Sequence, residues 1–388
     1  MKVRGNRWVR GIDRWVGAPM AFMLGMFKGA GRRLDGRVPK KILLLKLNAV
    51  GDTLLFLTVA EVLKKTWSDV QITYLGSTIN QEVLAKSPYL DRIKILDLVR
   101  MFRSPGYLLK YVRELRKDRY DVVIDGSQWE RVAACTVGLL RADVKIGFRT
   151  PGQWKHYVYH AYVPHRRDRH EMCCFHDLLT PLGIQAPSDI TPTLNVDNGD
   201  RQRLDSLLAG RVEAGSPILV IHPGCGEHGD FRQWRLENYR DLGRRWLKAN
   251  GDGWIVLTGI GSEVVICERL EQELPDRVMS LAGSLDIGTT SALLERARML
   301  VCGNTGMMHL ASAFQTPTVA IHGPTDPVKW GPINPNAVVV QSPLECVPCL
   351  YLGHEYGCDR PTCMDAIDVD IVWQALVDLE KAIIISHE

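Results

Sequence analysis

The sequence has no low-complexity segment, no internal repeat of solenoid period and no long hydrophobic run. The uncharged apolar stretch near the N-terminus covers only residues 15–27, whereas a membrane-spanning helix needs about 20 residues. Hydrophobic residues make up 46% and charged residues 24% of the 388 positions, which is typical of a soluble globular protein and excludes disorder or a collagen-like fibre. A chain of this length is expected to form two domains.

An excess of positive charge is found only in the N-terminal tail. Residues 1–41 hold 11 Lys and Arg against 2 Asp and Glu, so 37 of the 48 basic and 42 of the 44 acidic residues lie beyond them. The formal net charge of +4 therefore hides a basic tail and a mildly acidic body. Basic grooves with interleaved aromatic residues, which favour nucleic-acid binding, are not evident. We expect no nucleic-acid partner.

The tail has the charge and apolar run of a signal peptide but no small-x-small cleavage pattern. Trp8, Ile12, Trp15, Val16 and Met20 fall on one stripe of a helix, which favours a helix lying in the plane of an anionic bilayer. A helix packed on the protein's own body is the alternative. We predict that residues 1–38 form a basic, membrane-associating tail and that the protein is peripheral on the inner face of the cytoplasmic membrane.

Apolar runs alternate with helical patterns along most of the chain. KILLLKL (residues 41–47) is typical of a strand buried on both faces, and a helical pattern follows it. Strand signals recur in QITYLG, RIKIL, DVVIDG and VKIGF, and later in PILVIHPG, WIVLTG, RVMSLAG, MLVCGN and TVAIHG. This alternation predicts an α/β protein with two doubly wound, Rossmann-like domains facing a central cleft.

The predicted domain boundaries follow from where these series begin and end. Residues 39–190 form the first Rossmann-like domain and residues 217–342 the second. Residues 191–216 combine turn formers with one short charged helix and are predicted to be the linker. Residues 343–388 hold a cysteine cluster and a C-terminal helix.

Glycine, hydroxyl-bearing and charged residues gather where the predicted strands end. The carboxyl edge of a parallel sheet is where α/β proteins bind ligands, and turns that open helices present N–H groups to anions. One turn contains GIG, only part of a dinucleotide fingerprint, but several such turns at one edge predict a nucleotide site. These turns are KLNAVGD (46–52), IDGSQWE (124–130), HPGCGEHG (222–229), LTGIGSE (257–263), GNTG (303–306) and GPTD (323–326).

Over residues 40–385 the motifs resemble glycosyltransferase family 9, the ADP-heptose:lipopolysaccharide heptosyltransferases. The resemblance rests on K-x-N-x-x-G-D after the first strand, HPG with a later Arg-Gln-Trp at 232–234, T-G-x-x-H-L from residue 305 and GPTDP from residue 323. It implies an inverting GT-B enzyme that requires no cofactor for catalysis. The N-terminal domain is expected to bind a lipopolysaccharide or other lipid-linked glycan acceptor, and the C-terminal domain the nucleotide-sugar donor, ADP-heptose.

The resemblance also assigns roles to individual residues. Asp52 is expected to be the catalytic base for the attacking hydroxyl, with a helix-capping Asp as the alternative. Without a metal, helix N-termini and cationic side chains must stabilise the departing diphosphate. The residues expected to bind the donor are Lys46, Arg232, Glu263, Asn304, Thr305, Gly306 and His309, with Thr325 and Asp326 contacting the sugar.

Most of these donor residues also have a purely structural interpretation. Arg232 could pack on Trp234, and His309 could be a core histidine. Asn304 stands where many relatives carry Asp, so the position keeps hydrogen-bonding capacity and loses a charge. Helix starts or turn caps are the alternatives for Glu263, Thr305, Gly306, Thr325 and Asp326.

Four of the ten cysteines form the pattern C-x2-C-x8-C-x4-C: Cys346, Cys349, Cys358 and Cys363. This spacing suits one tetrahedral zinc or iron site, structural because four thiolates leave no open coordination position. The resemblance adds that relatives that glycosylate autotransporters carry an iron-bound four-cysteine finger. Disulfides, disfavoured in a reducing cytosol, and free thiols in a loop are the alternatives.

The sequence thus predicts a glycosyltransferase that moves heptose or a related sugar onto a lipid-linked glycan. Two other functions stay open at this point. A GT-B nucleotide-sugar epimerase would require a second set of carboxylates, which we do not find. A non-catalytic nucleotide-sugar or metal-binding scaffold is favoured by Asn304 and opposed by Asp52.

Overall fold

A computed structural model describes residues 11–387 apart from 12, 30, 32–35, 188, 214, 227–228 and 352–361. Trp8 and Ile12 of the predicted stripe and Cys358 of the cysteine pattern therefore lie outside the described residues. The chain divides into two compact units, Met1–Ile190 (unit 1) and Thr191–Glu388 (unit 2).

Unit 1 is built on a six-stranded sheet in the order β3-β2-β1-β4-β5-β6, with every neighbouring pair parallel. Because the strand order reverses between β1 and β4, the loops after these two strands open the crevice where such sheets bind ligands. The strands are β1 (Lys41–Leu45), β2 (Gln71–Ser77), β3 (Arg92–Leu96), β4 (Tyr120–Asp125), β5 (Ala142–Arg149) and β6 (Ala161–Pro164). The helices are α1 (Gly17–Met26), α2 (Val50–Thr66), α3 (Gln81–Ala85), α4 (Leu98–Arg103), α5 (Pro105–Leu115), α6 (Arg131–Leu139) and α7 (Glu171–Asp177).

Unit 2 repeats this topology, with the order β12-β11-β10-β7-β8-β9 and parallel neighbours throughout. The prediction of doubly wound parallel sheets is confirmed for both units. The strands are β7 (Ile218–His222), β8 (Trp254–Leu257), β9 (Val278–Ser280), β10 (Met299–Gly303), β11 (Thr318–His322) and β12 (Ala337–Gln341). The helices are α8 (Asn198–Leu208), α9 (Leu236–Ala249), α10 (Glu263–Glu273), α11 (Ile287–Arg296), α12 (Gly306–Ala313), α13 (Pro327–Trp330), α14 (Thr362–Asp365) and α15 (Val369–His387).

The apolar runs of the central strands explain why the sheets form. Four of the five residues of β1, and all five of β10, are buried, as expected for strands covered by helices on both faces. The edge strands β6 (AYVP) and β12 (AVVVQ) are only partly buried, and the sequence analysis did not predict them. β6 is only four residues long and ends in proline, whereas the apolar run of β12 was missed.

The apolar helix of the tail, α1, packs on unit 1 with one face. Asp13, just before it, binds the Arg131 side chain at 3.0 Å. A Cβ on Gly17 would lie 2.8 Å from Arg131 Cβ, which shows how closely α1 approaches α6. The ring of Phe22 meets that of Tyr157 edge-on at 5.2 Å. One face of α1 therefore packs on the protein's own body, as the alternative to membrane binding predicted, while the other face is exposed.

The segment predicted to be a linker contributes the docked helix α8 to unit 2. Arg201 of α8 binds both carboxylate oxygens of Glu295 in α11, at 3.1 and 3.0 Å. Gly288 of α11 leaves room for Asp200, whose Oδ1 would lie 2.2 Å from a Cβ at that position. Among the described residues, none of the helices combines the length and the apolar character needed to span a bilayer.

Candidate active site

The loops that follow β1 and β4 lie side by side, because Leu45 at the end of β1 pairs with Asp125 at the end of β4. Two side-chain hydrogen bonds cross between these loops. Lys46 Nζ donates to Gln128 Oε1 at 2.6 Å, and Asn48 Nδ2 donates to Glu130 Oε1 at 3.1 Å. Each bond joins residues that are 82 positions apart in the chain. The bond between Asn48 and Glu130 therefore lies two residues farther along both loops than the bond between Lys46 and Gln128.

Asp52, the predicted base, lies in the first turn of α2 and is held by the first of these bonds. Its Oδ2 accepts from Lys46 Nζ at 3.1 Å and from Gln128 Nε2 at 3.2 Å. Lys has no acceptor, so the Gln128 amide must present its oxygen to Lys46 and its nitrogen to Asp52. The three side chains thus close a triangle around one carboxylate oxygen. No hydrogen bond within the described part of the chain engages the other oxygen, Oδ1.

Exposure differs sharply among these three residues. Lys46 and Gln128 are buried, whereas the side chain of Asp52 keeps 17% of its surface exposed. The carboxylate therefore has a held, inner oxygen and an outer part that solvent or substrate reaches. Lys46 was predicted to bind the donor diphosphate. It lies in unit 1 and contacts Asp52, whereas the other predicted donor residues belong to unit 2, and its phosphate role stays a prediction.

The turn before Asp52 has a strained backbone that buried side chains hold in place. Ala49 adopts φ 64° and ψ 127°, a region that favours glycine. Asn80, which is buried, donates from Nδ2 to the Lys46 carbonyl and to Thr53 Oγ1, both at 3.0 Å. These bonds fasten both ends of the strained turn. The direction in which α2 presents Asp52 is thereby set by the fold.

Further buried charges surround this triangle. Lys155 Nζ lies 3.6 Å from Asp125 Oδ2, and Tyr159 donates its hydroxyl to that same oxygen at 2.5 Å. Burial lowers the pKa of Lys155, although Asp125 and Glu130 oppose the shift. Burial would raise the pKa of Glu130, but the ammonium groups of Lys46 and Lys155 lower it below its ordinary value. Glu130 is therefore ionised at neutral pH.

The four predicted turns of unit 2 follow neighbouring strands and lie along one edge of the sheet, after β8, β7, β10 and β11. Side chains tie them together. His222 Nδ1 contacts Thr258 Oγ1 at 3.1 Å, which joins the turns after β7 and β8. Arg232 donates to the carbonyl oxygens of Cys225 and Asn304, both at 3.2 Å, which joins the turns after β7 and β10.

Arg232 was given a structural alternative, packing on Trp234. Trp234 is instead a core residue whose ring meets that of Tyr239 edge-on at 4.9 Å. Its Nε1 donates to the Ile367 carbonyl at 2.8 Å. The guanidinium of Arg232 is thus held by loop carbonyls at the carboxyl edge of the sheet.

Glu263, at the start of α10, fastens two of the turns. Its Oε1 accepts from the backbone N–H of Gly226 at 2.7 Å and its Oε2 from that of Ile260 at 2.9 Å. Gly224 permits this approach, because a Cβ there would lie 2.1 Å from Oε1. Burial lowers the pKa of His222, although Glu263, 3.9 Å away, opposes this shift. Ribose binding by Glu263 stays a prediction.

Asn304 uses its amide nitrogen within unit 2. Nδ2 donates to the Trp330 carbonyl at 3.0 Å and lies 3.3 Å from His322 Nε2. Burial lowers the pKa of His322 to about 4, so its ring is neutral at neutral pH and accepts this bond. Donor binding by Asn304 stays a prediction.

The hydroxyls of Thr305 and Thr325 have no hydrogen-bond partner within the described part of the chain, although both oxygens are buried. Thr305 is the N-cap residue of α12, yet its side chain makes no capping bond. Gly306 begins this helix and His309 is buried one turn into it. Asp326 does cap a helix, because its carboxylate accepts from Val328 N at 2.9 Å.

Two groups of side chains could hold a metal. Cys346 and Cys349 are exposed and Cys363 is buried, while the fourth cysteine of the pattern lies outside the described residues, so the four-thiol site stays a prediction. The second group is buried and consists of His165, Glu171 and Cys174, with ligand atoms within 4.8 Å of one another. There His165 Nε2 already contacts both oxygens of Glu171, at 3.0 and 3.1 Å, so the pair is satisfied without a metal.

Residues 108–358 match the profile of glycosyltransferase family 9 (heptosyltransferase). The chain belongs to glycosyltransferase family 9. It is 23% identical over 320 residues to lipopolysaccharide heptosyltransferase 2 of Salmonella typhimurium, covering 78% of this chain and 88% of the relative. The solved structure of the glycosyl transferase family 9 protein from Veillonella parvula has a TM-score of 0.75 at 20% identity, covering 91% of this chain and 100% of that one.

A second solved structure, E. coli heptosyltransferase WaaC with ADP, has a TM-score of 0.69 at 18% identity and covers 87% of this chain and 99% of that one. The family 9 protein therefore has a GT-B fold and is a glycosyltransferase, which confirms the predicted family, fold class and enzyme class.

Sequence reasoning selected Asp52 but missed Asn48, Gln128 and Glu130. All three residues belong to turns that the sequence analysis had singled out, because Asn48 lies in the 46–52 turn and Gln128 and Glu130 lie in the 124–130 turn.

Proposed function

We propose that this chain transfers heptose from ADP-heptose to a hydroxyl of a lipopolysaccharide-type or other lipid-linked glycan, with inversion at the anomeric carbon. The family description and the name of the Salmonella relative support the sugar, and the ADP in the E. coli structure supports the nucleotide. The observation that carries the mechanism is the carboxylate of Asp52, held through Oδ2 by Lys46 and Gln128.

In this mechanism Asp52 takes the proton from the acceptor hydroxyl while that oxygen attacks the anomeric carbon. The carbon–oxygen bond to the diphosphate breaks as the new glycosidic bond forms on the opposite face of the sugar, so a single displacement inverts the configuration. Oδ1 is the proton acceptor in this proposal, because Oδ2 already accepts two hydrogen bonds. Lys46 and Gln128 hold the carboxylate for that transfer.

Unit 2 is proposed to bind the donor. The departing diphosphate gains negative charge, which the guanidinium of Arg232 and the N-terminus of α12 would stabilise together with the unpartnered hydroxyl of Thr305. No cofactor is invoked for this step. The backbone N–H of Gly306 is also assigned to the diphosphate, and His309 to the phosphate or the sugar. Glu263 is assigned to the ribose, and the sugar contacts are assigned to Asn304, Thr325 and Asp326.

The test is a transfer assay with radiolabelled ADP-heptose and de-acylated core oligosaccharide. Label in the oligosaccharide supports the proposal, whereas a new nucleotide-sugar would indicate an epimerase, and binding without reaction would contradict transfer.

Asp52→Asn should lower transfer by about 10²–10⁴-fold, the usual contribution of a general base. Exposed Asp69→Asn is the control and should retain the parent rate; activity of Asp52→Asn within a few-fold of the parent would contradict the assignment.

We further propose that α1 holds the enzyme on the cytoplasmic face of the inner membrane, where a lipid-linked acceptor lies. α1 and the residues that flank it expose large apolar side chains: Trp15 before the helix is 77% exposed and Phe27 after it 85%, and Met23 and Met26 within it are also exposed. Phe22, which contacts Tyr157, is about half exposed. A basic tail with exposed aromatic residues suits an anionic bilayer, since insertion and electrostatic attraction both contribute.

Vesicle flotation tests this placement. The full chain should float with vesicles containing phosphatidylglycerol and less with purely zwitterionic vesicles. A Trp15→Ser, Phe27→Ser variant should stay in the soluble fraction. The control is Val265→Ser, which removes an exposed apolar side chain of unit 2. Equal flotation of all three proteins would contradict the proposal.

For the cysteine cluster we propose a structural metal. The thiolate set suits zinc or iron. The backbone N–H groups of Cys349 and Leu350 both donate to the Pro324 carbonyl at 2.9 Å, so the cysteine segment braces the turn that carries Thr325. Elemental analysis after anaerobic purification should give about one metal per chain and far less in Cys346→Ser. A parent value far below one contradicts the proposal.

A further inference from the structure

Two buried polar atoms on the loops that carry the proposed base and Gln128 have no partner among the described residues. Asn48 Oδ1 and Glu130 Oε2 make no hydrogen bond within the described part of the chain, and each residue is only 5% exposed. Buried polar atoms are nearly always hydrogen-bonded, because an unsatisfied one loses its hydration without compensation. A pair of unsatisfied atoms on neighbouring loops therefore indicates a ligand position.

The chemistry of these atoms narrows the ligand class. Asn48 already donates its amide nitrogen to Glu130 Oε1, so the amide oxygen is the part left over. Lys46 and Lys155 lower the pKa of Glu130 against the effect of burial, so its carboxylate is ionised and can only accept. A ligand that satisfies both atoms must donate hydrogen bonds, as the hydroxyl groups of a sugar do.

Their place in the fold relates them to Asp52. Asn48 lies in the same turn, four residues before Asp52, and Glu130 lies two residues after Gln128. The bond between Lys46 and Gln128 holds the base, and the bond between Asn48 and Glu130 is the next contact along the same two loops. A sugar whose reacting hydroxyl reaches Asp52 thus has its neighbouring hydroxyls near this second contact.

We propose that Asn48 and Glu130 form an acceptor subsite, in which they accept hydrogen bonds from the hydroxyl groups next to the one that Asp52 deprotonates. The subsite would select which acceptor hydroxyl receives the sugar. This inference rests on the proposed transfer to a glycan. Its competitor is a buried water molecule that satisfies both atoms and plays no part in acceptor binding.

Acceptor analogues that lack one hydroxyl group distinguish an acceptor subsite from a buried water molecule. Transfer is measured with the core oligosaccharide and with analogues in which one hydroxyl adjacent to the reacting one is replaced by hydrogen. For the parent chain, one such analogue should lower kcat/KM by about tenfold or more, because buried acceptors then lose their donor. In Glu130→Gln the intact acceptor should bind more weakly, and the penalty for the deoxy analogue should shrink to less than about threefold.

Glu61→Gln is the matched control. Glu61 is also 5% exposed, but it lies on α2 nine residues beyond Asp52 and pairs with Lys65 at 2.8 Å. This variant should keep both the acceptor KM and the deoxy penalty of the parent. Asn48→Ala provides a second variant should Glu130→Gln fail to fold, as judged by circular dichroism.

The outcomes distinguish the subsite from the enzyme. If every folded variant at Asn48 or Glu130 loses as much kcat/KM with the deoxy analogue as the parent chain does, the subsite is overturned and a buried water is favoured. The proposed transfer reaction would be unaffected by that result. Parent transfer that tolerates every deoxy analogue overturns the subsite equally. Failure of the parent chain to transfer to any oligosaccharide overturns the proposed function and the subsite together.

Discussion

The two units share one strand order, yet the carboxyl edges of their sheets differ in kind. Unit 1 places charged side chains there, since Lys46 pairs with Asp52 and Glu130 accepts a buried hydrogen bond from Asn48. Unit 2 relies mainly on backbone groups, since Arg232 binds two carbonyls and Glu263 binds two N–H groups. One scaffold thus supports two different kinds of site, because the loops rather than the strands carry the chemistry.

This difference matches the two tasks of the proposed reaction. A general base needs one carboxylate held in one direction, and fixed charges around it provide that. A leaving diphosphate spreads its charge over several oxygens, so turns that present many N–H groups and one cation suit it better. The predictions below test whether unit 1 works through its side-chain network and unit 2 through its turns.

Among the variants that test this comparison, the largest effect is expected for one in unit 2. Arg232→Met removes the cation and both carbonyl contacts, so transfer should fall by about 10²–10³-fold, a typical loss for one preorganised charge-stabilising group. Steady-state kinetics should show a lower kcat and a higher donor KM, with the acceptor KM unchanged. Exposed Arg235→Met, which breaks only a surface ion pair with Asp365, is the control and should be near neutral. A change confined to the acceptor KM would contradict the comparison.

The central strands of both units could be predicted from the sequence, because each is a short apolar run followed by a glycine-containing turn. Edge strand β6 could not, since it is four residues long and ends in proline, whereas β12 carries an apolar run (AVVV) that was overlooked. Asp52 could be selected because it ends a motif with a recognisable spacing. The contacts that hold it could not, because they require knowing that β1 and β4 are neighbours.

The same limit applies to the tail. An apolar helix flanked by basic residues predicts a membrane surface, and nothing in the pattern tells which face of it meets the protein. Gly17 and Ala21 are buried, while Trp15 and Met26 are largely exposed. The sequence did not single out Gly17, whose small size permits the close contact with Arg131.

An intermediate effect is expected on stability, because one buried histidine in each unit, His176 and His322, has a strongly lowered pKa. Burial lowers the pKa of His176 in unit 1 and of His322 in unit 2 from 6.5 to about 4. Below pH 6.5 the unfolded chain binds a proton that the folded chain accepts only near pH 4, so stability falls through this window. Each histidine should account for about 3 kcal/mol by pH 4.

Denaturant unfolding at several pH values measures this dependence. His176→Gln and His322→Gln should each flatten the loss of stability between pH 6.5 and 4, whatever they do at pH 7.5. If the two units unfold in separate transitions, each variant should flatten only its own. Slopes equal to the parent slope in both variants would show that these rings do not remain neutral in the fold.

The smallest effect is expected for Gln128, which positions the base without being one. Gln128→Leu removes one of the two donors to Asp52 Oδ2 and the acceptor of Lys46, while the direct contact of Lys46 with Asp52 remains. The carboxylate keeps its cation but loses its second anchor, so kcat should fall by about tenfold, equivalent to about 1.4 kcal/mol. Exposed Gln71→Leu, at the opposite end of the sheet, should match the parent.

Gln128→Glu sharpens this prediction, because it preserves an acceptor for Lys46 and replaces the donor to Asp52 with a second negative charge. It should impair kcat more than Gln128→Leu does, and neither variant should change the donor KM. A purely structural role for Gln128 would instead affect stability, with kcat restored at lower temperature. A rise in the donor KM as large as the fall in kcat would contradict the comparison. It would mean that Gln128 affects donor binding as well as the position of Asp52.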